Sequence, residues 1–252
     1  ILNSTSYTSN KKLIYFPSWP EEIKKNESIK VNNLFKKNPK DLKVVFTGNV
    51  GQAQGFEKVI ELSEKFKKIK FKVFVIGTGR WLDRIKEIVK IKKIKNIYFF
   101  GHKPVSKIYP YLKNADILLI TLKEGKVFDA TIPGKFSTYL SFNKPILGLL
   151  GGETKKLINN NSLGFALQNF KSKQKNLKLL KFFKGAKNKK INNKSYIKEN
   201  FSKSKILEKL HNYFYKNKIK LKFITKSKEV KFRKNFVLSA FNLAFIGSWV
   251  SK

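Results

Sequence analysis

The sequence predicts an α/β fold, a doubly wound parallel sheet with helices on both faces. Apolar runs of strand length alternate with amphipathic helical segments between residues 43 and 167. The strand runs are continuously apolar, which is typical of parallel strands covered on both sides. Three of them end in glycine, at Gly48, Gly77 and Gly101.

The elements follow one another in a regular order. Strands are predicted at KVVFTG, FKVFVIG, NIYFFG, DILLIT, KPILGLL and LGFAL. Apolar residues recur at helical spacing in the segments between them, GFEKVIELSEKF, RWLDRIKEIVKI, VSKIYPYLKNA, KFSTYLSF and ETKKLINN. Ligands of such sheets bind at the carboxyl ends of the strands, so the three glycine turns and the loop 122–134 are expected to converge on one cleft.

The flanking segments have weaker patterns. Residues 20–42 are charged and contain two prolines, which predicts a linker or surface loop. Residues 171–200 are rich in Lys and Asn, and 202–216 predict an amphipathic helix. The apolar run 232–250 is too short, and too often interrupted by Asn and Ser, to predict a membrane span. It is interpreted as a helix buried against a partner domain or as an interfacial membrane helix.

The composition is strongly basic, with a net charge of +39 over 252 residues. Of the 55 basic residues, only Arg80, Arg84 and Arg233 are arginine. The chain is also rich in four amino acids whose codons are rich in A and T, namely Lys, Asn, Ile and Phe. Because nucleic-acid sites favour arginine, genome composition explains the charge better than nucleic-acid binding does. Attraction to an anionic membrane stays open as a partner interaction, since exposed lysines act there whatever their origin.

Several classes of site are not expected. The chain has no Cys and only two His, far apart, which excludes disulfides and thiolate metal sites and makes a His-based metal cluster an unfavourable prediction. The sequence begins at Ile1 without Met, so it is expected to be an excerpt of a longer protein. No secretory signal or continuous apolar span is predicted, which favours a cytoplasmic protein.

The loop between the fourth strand and the following helix has the residue types of an anion site. Thr131, Ile132, Pro133, Gly134 and Lys135 stand directly ahead of a predicted helix. Free backbone N–H groups at a helix start and an adjacent ammonium group both attract negative charge. The loop is therefore predicted to hold an anion.

The ordered motifs GNVGQAQG, GTG, FFG, AD and STYLSFNKPIL resemble the carboxyl-terminal half of glycosyltransferase family 4, which has the GT-B fold. The pieces YFPSWPEE, GNVGQAQGFE and TIPGK are similar to those of the bacterial branch that builds surface polysaccharides. The resemblance covers roughly residues 13–217.

The resemblance implies that this half binds a nucleotide-sugar donor, expected to be UDP-linked, and that the predicted anion is its diphosphate. No D-x-D motif occurs in these loops, so no metal or other cofactor is expected. The donor-binding residues implied or predicted are Gly48, Asn49, Gly51, Gln54, Gly77, Gly79, Arg80, His102, Lys103, Thr131, Ile132, Pro133, Gly134, Lys135 and Thr138.

The sequence departs from the family at the diphosphate clamp. The family's usual Arg and Lys align here with Asn49 and Gln54, both neutral. Lys135 is expected to supply the missing charge, with Arg80 or Lys103 as helpers.

The residues expected to contact the sugar and the nucleotide also differ from those usual in the family. The family's two loop glutamates align with Ala130 and Thr138, so the ribose is expected to contact Ser137, Thr138 or backbone. His102 is either an exposed loop residue or a base contact. Glu153, in a Gly-Gly-x-x-E-like turn, either touches a sugar hydroxyl or caps the following helix. No residue is assigned a catalytic role.

Three segments are predicted. Residues 1–40 are the end of an amino-terminal domain with an interdomain linker, 41–217 a nucleotide-sugar-binding Rossmann-like domain, and 218–252 a basic and apolar tail or the start of another domain. The amino-terminal GT-B domain, which in the family carries the acceptor site, is expected to be largely missing, so this piece alone is expected to be inactive.

The implied activity is sugar transfer to a lipid-linked or saccharide acceptor in cell-envelope polysaccharide biosynthesis, in the cytoplasm or peripherally on the inner membrane face. Two other hypotheses remain. One is a basic α/β module that binds nucleic acid, and the other is a non-catalytic envelope-assembly homologue that keeps the fold.

Overall fold

The computed structural model describes residues 17–21, 31–36, 40–187 and 189–216, with the backbone alone for 214–216. The chain divides into a compact unit of Glu21–Asn193, which holds the sheet, and a second unit that combines Ile1–Pro20 with Lys194–Lys252. The tail 218–252, with its predicted helix, lies outside the described residues, and the three-segment division stays a prediction.

Six parallel strands of the described chain form one sheet. They are β1 Leu42–Thr47, β2 Phe71–Ile76, β3 Ile97–Phe99, β4 Ile117–Thr121, β5 Ile146–Leu149 and β6 Gly164–Leu167. Their order is β3-β2-β1-β4-β5-β6, and every neighbouring pair is parallel. This confirms the predicted doubly wound sheet. The order reverses between β1 and β4, and such a switch point opens a crevice at the carboxyl ends of the strands.

Helices connect the strands. In the sheet unit they are α1 Asn33–Lys36, α2 Glu57–Lys65, α3 Leu82–Ile91, α4 Tyr109–Lys113, α5 Lys126–Asp129, α6 Lys135–Leu140, α7 Gly152–Asn160 and α8 Lys173–Gly185. The other unit contains α9 Lys194–Asn200 and α10 Lys203–Lys216. Among the described residues, none of these helices has the length and apolarity needed to cross a membrane.

The core follows from the apolar pattern. Every residue of β4 is buried, and the buried side of α2 presents Val59, Ile60 and Leu62. The α2 side chains, with Ile117 and Leu119 of β4, join β1, β2 and α3 in one apolar cluster. Burying a residue such as Leu62 stabilises the fold by about 1.5–3 kcal/mol relative to leaving it exposed.

Helix α8 extends this cluster, although the sequence pattern is weak there. Leu179 and Phe183, four residues apart, are its buried apolar side chains. Phe183 stacks on Phe71 of β2, with 5.2 Å between ring centroids. Two anchors in a helix otherwise rich in Lys are too few to give a clear period in the sequence.

Helix α1 also departs from the sequence prediction, which has a linker or surface loop over 20–42. Phe35 of α1 is only 1% exposed. Its ring lies 4.7 Å from that of Phe74 and 5.1 Å from that of Tyr111, and the Tyr111 hydroxyl accepts a hydrogen bond from the Asn32 N–H at 3.0 Å. One aromatic residue, Phe35, thus packs this segment against the sheet. A single buried residue gives no periodic pattern in the sequence.

An ion pair and two hydrogen bonds stabilise the end of the sheet at which β1 and β4 begin. The Asp116 carboxylate accepts hydrogen bonds from the Lys43 N–H at 2.8 Å and from Lys187 Nζ at 3.2 Å. Lys187 also donates to the Asp41 carbonyl at 3.0 Å. The segment after α8 is therefore joined to the amino ends of β1 and β4.

The packing of α1 generates a stability prediction. Phe35→Ala should lower the free energy of unfolding by about 3 kcal/mol, because it leaves a cavity between Phe74 and Tyr111. Leu34→Ala, at the 45% exposed neighbour, should change it by less than about 0.5 kcal/mol. Urea unfolding monitored by circular dichroism measures both variants. Similar losses in the two would contradict the packing role of Phe35.

Candidate functional site

Three turns at the carboxyl edge of the sheet are hydrogen-bonded to one another. The Gly48 N–H donates to the Ile76 carbonyl at 2.9 Å, and the Val50 N–H donates to the Thr78 carbonyl at 2.8 Å. The Gly77 N–H donates to the Gly101 carbonyl, also at 2.8 Å. The turns after β1, β2 and β3 therefore lie together, as their places after parallel strands predict.

Glycine is needed where the first two turns meet. A Cβ added at Gly77 would lie 1.9 Å from the Gly48 carbonyl oxygen, and one added at Gly79 would lie 2.3 Å from the Val50 carbonyl oxygen. The two glycines thus allow one backbone to approach another. The G-x-G motif serves the packing of the turns themselves, which is a role apart from any contact with a ligand.

The turn after β1 is closed by its own side chain. Gln54 Oε1 accepts a hydrogen bond from the Gly51 N–H at 3.0 Å. Asn49, by contrast, is exposed. Of the two neutral residues aligned with the family's clamp, Gln54 stabilises the turn, and Asn49 is exposed with its side chain beside Gly51 and Gly79.

Lys135, at the start of α6, lies against the end of β1. Its Nζ donates to the Thr47 carbonyl at 2.8 Å and lies 3.7 Å from the centroid of the Phe46 ring. A Cβ placed on Gly48 would be 3.3 Å from the same nitrogen. The ammonium group therefore sits beside the first glycine turn, at the switch point of the sheet.

The charge on Lys135 has no counter-ion among the described residues, where its partners are a carbonyl and an aromatic ring. Desolvation by burial lowers the pKa of Lys135 to about 7. The residue as a whole is nevertheless half-buried, so part of it reaches solvent. An anion arriving beside Lys135 would favour the ammonium form.

Tyr139 holds the same strand end from one helical turn further along α6. Its hydroxyl accepts from the Thr47 N–H at 2.8 Å and lies 3.1 Å from Thr47 Oγ1. Burial raises the pKa of Tyr139 to about 12, so the phenol stays neutral. The sequence reasoning missed Tyr139. The signal was its spacing of four residues from Lys135, which places both on one helix face.

The loop ahead of α6 is fastened on both sides. Thr131 Oγ1 donates to the Val127 carbonyl at 2.7 Å, and the Thr131 carbonyl accepts from Thr154 Oγ1 at 2.7 Å. The Pro133 carbonyl accepts the Phe136 N–H at 2.8 Å. Residues 132–134 are all half-buried. The loop is thus held between α5 and α7 in a defined position.

The two hydroxyl groups expected near the ribose have partners inside the protein. Ser137 Oγ donates to the Gly134 carbonyl at 3.0 Å. Thr138 Oγ1 accepts from the Glu21 N–H at 3.1 Å, and Thr138 is buried. Either hydroxyl would have to change partner to meet a ribose.

The other predicted residues lie at the turns after β2 and β3. Arg80 and His102 are exposed. Lys103 Nζ lies 5.6 Å from the ring centroid of Tyr111 and 6.0 Å from that of Phe100. No hydrogen bond or ring contact between described residues joins any of the three to Lys135. The helper role of Arg80 or Lys103 stays a prediction, and so does a base contact of His102.

A carboxylate that the sequence reasoning missed, Asp129, is the last residue of α5 and lies against the start of α7. A Cβ on Gly152 would meet the backbone carbonyl of Asp129 at 1.8 Å, and one on Gly151 would meet Asp129 Oδ1 at 2.3 Å. Oδ1 is buried and has no hydrogen-bond partner among the described residues. Glu153, the residue singled out in this turn, is exposed and pairs with Lys156 at 2.8 Å.

The site therefore has backbone turns, one ammonium group and a few hydroxyls. Within the described residues, no group of three or more His, Cys, Asp or Glu side chains has the arrangement of a metal site. The arrangement can hold a negatively charged group beside Lys135 by hydrogen bonding and by charge.

Comparison with curated proteins gives two bacterial relatives. A Pseudomonas aeruginosa protein named as the glycosyltransferase WbjE is 30% identical over 122 residues, which are 48% of this chain and 30% of that protein. An Escherichia coli K12 protein named as the colanic acid biosynthesis glycosyl transferase WcaI is 25% identical over 134 residues, 51% of this chain and 33% of that protein. The matched part spans about a third of each curated relative.

Solved structures share the fold. The lipopolysaccharide outer core galactosyltransferase WaaB, in its apo form, matches 82% of this chain and 56% of its own with a TM-score of 0.58 at 13% identity. Anabaena HepE in complex with UDP-glucose matches 70% and 49% with a TM-score of 0.50 at 15% identity. At these identities the likeness concerns the fold, a Rossmann-like sheet with GT-B neighbours.

The family is shown by the sequence itself. The model for glycosyl transferases group 1 matches residues 27–203, well over half of the chain. This range contains the whole sheet, the three glycine turns and Lys135. The chain belongs to the glycosyl transferases group 1 family.

Proposed function

We propose that this domain binds a nucleotide-sugar donor at the carboxyl edge of its sheet and, as part of a longer protein, transfers the sugar. The observation that carries the proposal is the position of Lys135. Its ammonium group lies beside Gly48 at the switch point, with no carboxylate partner among the described residues. A diphosphate is an anion that such a group can bind.

The chemistry of sugar transfer gives this charge a role. When the glycosidic bond of the donor breaks, negative charge develops on the leaving diphosphate. A fixed cation and backbone N–H groups aimed at that position stabilise the charge without reorganising. Lys135 would hold the diphosphate beside the turn after β1, where the N–H groups of Gly48, Val50 and Gly51 already donate within the protein.

The identities of the nucleotide and of the acceptor are supported only by the names of similar proteins. HepE is named in complex with UDP-glucose, which favours UDP as the nucleotide here. WcaI is named for colanic acid biosynthesis and WaaB for the lipopolysaccharide outer core, which favours a lipid-linked or saccharide acceptor of the cell envelope. We place the protein in the cytoplasm, peripherally on the anionic inner face of the membrane, with a GT-B amino-terminal domain to carry the acceptor.

A second candidate is a homologue that keeps the fold without transferring sugar. Gln54 is engaged in its own turn, and Asn49 carries no charge, so the clamp expected of the family lacks two cations. Lys135 alone would then have to balance the diphosphate. Binding of UDP without turnover of UDP-sugars by the longer protein would favour this candidate.

Nucleotide binding provides the first test. Millimolar UDP should raise the melting temperature by about 3 °C or more, because a ligand that binds only the folded state stabilises it. Differential scanning fluorimetry with UDP, GDP and ADP measures the shift and its base preference. The absence of a shift with all three nucleotides would sink the donor-binding proposal.

The role of Lys135 provides the second test. Lys135→Met keeps the length of the side chain and removes its charge, so UDP affinity should fall at least about tenfold while uridine affinity stays nearly constant. Lys126→Met, at an exposed lysine of the neighbouring α5, is the matched control and should change neither. Isothermal titration calorimetry measures all three proteins. Equal losses for UDP and uridine in Lys135→Met would show that Lys135 is not the phosphate partner.

The pH dependence provides a third test. The pKa of Lys135 is lowered from 10.5 to about 7 in the folded chain. Between these two pH values the unfolded chain holds a proton that the folded chain has released. The free energy of unfolding of the unliganded protein therefore rises with pH over this range. A bound diphosphate raises the pKa again, so binding in this range takes up a proton. UDP affinity should therefore fall above pH 7 by up to about tenfold per pH unit.

Calorimetry in buffers of different ionisation enthalpy measures that proton uptake directly. Lys135→Met should show none and should bind UDP with a flat profile over the same pH range. A pH profile shared by the two proteins would assign the titration to another group.

A further inference from the structure

One face of α8 combines exposed lysines with an exposed leucine. We use the name α8 outer face for the residues that line a shallow depression there, Gln174, Leu177, Lys178, Leu180, Lys181 and Lys184. Leu177 is 52% exposed, and Leu180 is half-buried beside it. Apolar side chains thus form the floor, and lysines form the rim.

The helix geometry explains why these residues share a face. Leu179 and Phe183 point inward, and Phe183 packs against Phe66 and Phe71. With 3.6 residues per turn, positions 174, 178 and 181 then project to the opposite side, together with 177 and 184. The fold itself therefore holds Leu177 outward among the lysines.

The charge of this region has a single sign. Residues 171–190 contain nine lysines, and no Asp or Glu occurs between Glu153 and Glu199. Lys178, Lys181 and Lys184 are exposed, and none of the ion pairs between described residues includes them. The rim thus has positive charge available for an external anion.

The combination fits the surface of an anionic bilayer. Lysine side chains place their methylene groups along an apolar layer while the ammonium groups remain among lipid phosphates. An exposed leucine on the same face, Leu177, can enter the boundary between headgroups and acyl chains. Each lysine near such a surface contributes to binding, and the charges act together.

Nucleic acid fits this face less well. Helix α8 has no arginine, and its aromatic residues, Phe182 and Phe183, pack against each other and against neighbouring rings. Stacking on nucleotide bases needs exposed aromatic or arginine side chains. An exposed leucine gains nothing from a phosphate backbone.

We propose that the α8 outer face docks this domain on an anionic membrane, with Leu177 entering the headgroup boundary and Lys178, Lys181 and Lys184 pairing with lipid phosphates. This site is separate from the donor site at the carboxyl edge. It assigns the membrane association to one helix of the described chain, independently of whether the donor site binds UDP.

Vesicle co-flotation of the full chain tests the proposal. The protein should bind phosphatidylcholine vesicles that contain about 30% phosphatidylglycerol and should not bind pure phosphatidylcholine. The triple variant Lys178→Gln, Lys181→Gln and Lys184→Gln should bind at least about tenfold more weakly, and Leu177→Ser should also bind more weakly.

Two matched controls show whether the effect belongs to the α8 outer face or to lysines and exposed apolar side chains in general. Lys67→Gln, Lys68→Gln and Lys70→Gln together remove the same charge from exposed lysines elsewhere. Ile91→Ser removes an apolar side chain that is 70% exposed on α3. Both controls should retain vesicle binding, and thermal melting should show every variant folded with an unchanged UDP response.

Three outcomes would overturn the proposal. Equal loss in the two lysine triples would mean that net charge alone drives binding. Undiminished vesicle binding by the α8 variants would place the membrane contact elsewhere in the chain. Loss of affinity for a single-stranded RNA in the α8 triple, with vesicle binding intact, would make the face a nucleic-acid site.

Discussion

The contact between Lys135 and the end of β1 is the constraint on which the site depends. An ammonium group that is desolvated without a counter-ion is unfavourable by itself. The Thr47 carbonyl and the Phe46 ring offset part of that cost. The group is thereby held at the switch point, where we propose that a diphosphate binds. Such preorganised charge is what stabilises a leaving group as it departs.

The same strand end is held twice by one short helix. Lys135 reaches the carbonyl of Thr47, and Tyr139 reaches its N–H and its hydroxyl. Helix α6 is therefore fixed relative to β1, although β4 precedes it in the chain. A binding group on a rigid element keeps its geometry better than one on a free loop. The loop 131–134 benefits as well, because Thr154 of α7 fastens its first residue.

Much of this arrangement could be predicted from the sequence, because parallel topology follows from alternating apolar strands and helices. Once β1 and β4 are neighbours, the glycine turn after one and Lys135 after the other must lie close. Partners of side chains could not be predicted in the same way. Nothing in the sequence shows that Gln54 closes its own turn, that Thr138 meets Glu21, or that Asp129 lies against α7.

Elements held by one or two anchors also escaped the sequence pattern. Phe35 fixes α1, and Leu179 with Phe183 fixes α8, yet most neighbouring residues are Lys or Asn. Periodicity needs several buried positions in a row before it exceeds the background of a biased composition. Lys135 could be singled out among the many lysines only because it follows a strand and precedes a helix, and its burial against the end of β1 could not be predicted.

The interlocked glycine turns constrain how this domain could be re-engineered. The backbone at Gly77 touches that at Gly48, and Gly79 touches Val50, so neither turn has a conformation independent of the other. A loop transplanted from a relative to alter donor preference would have to bring both turns as a single graft. Combinatorial exchange of one turn at a time would sample mostly misfolded chimaeras, whatever the merit of the new side chains.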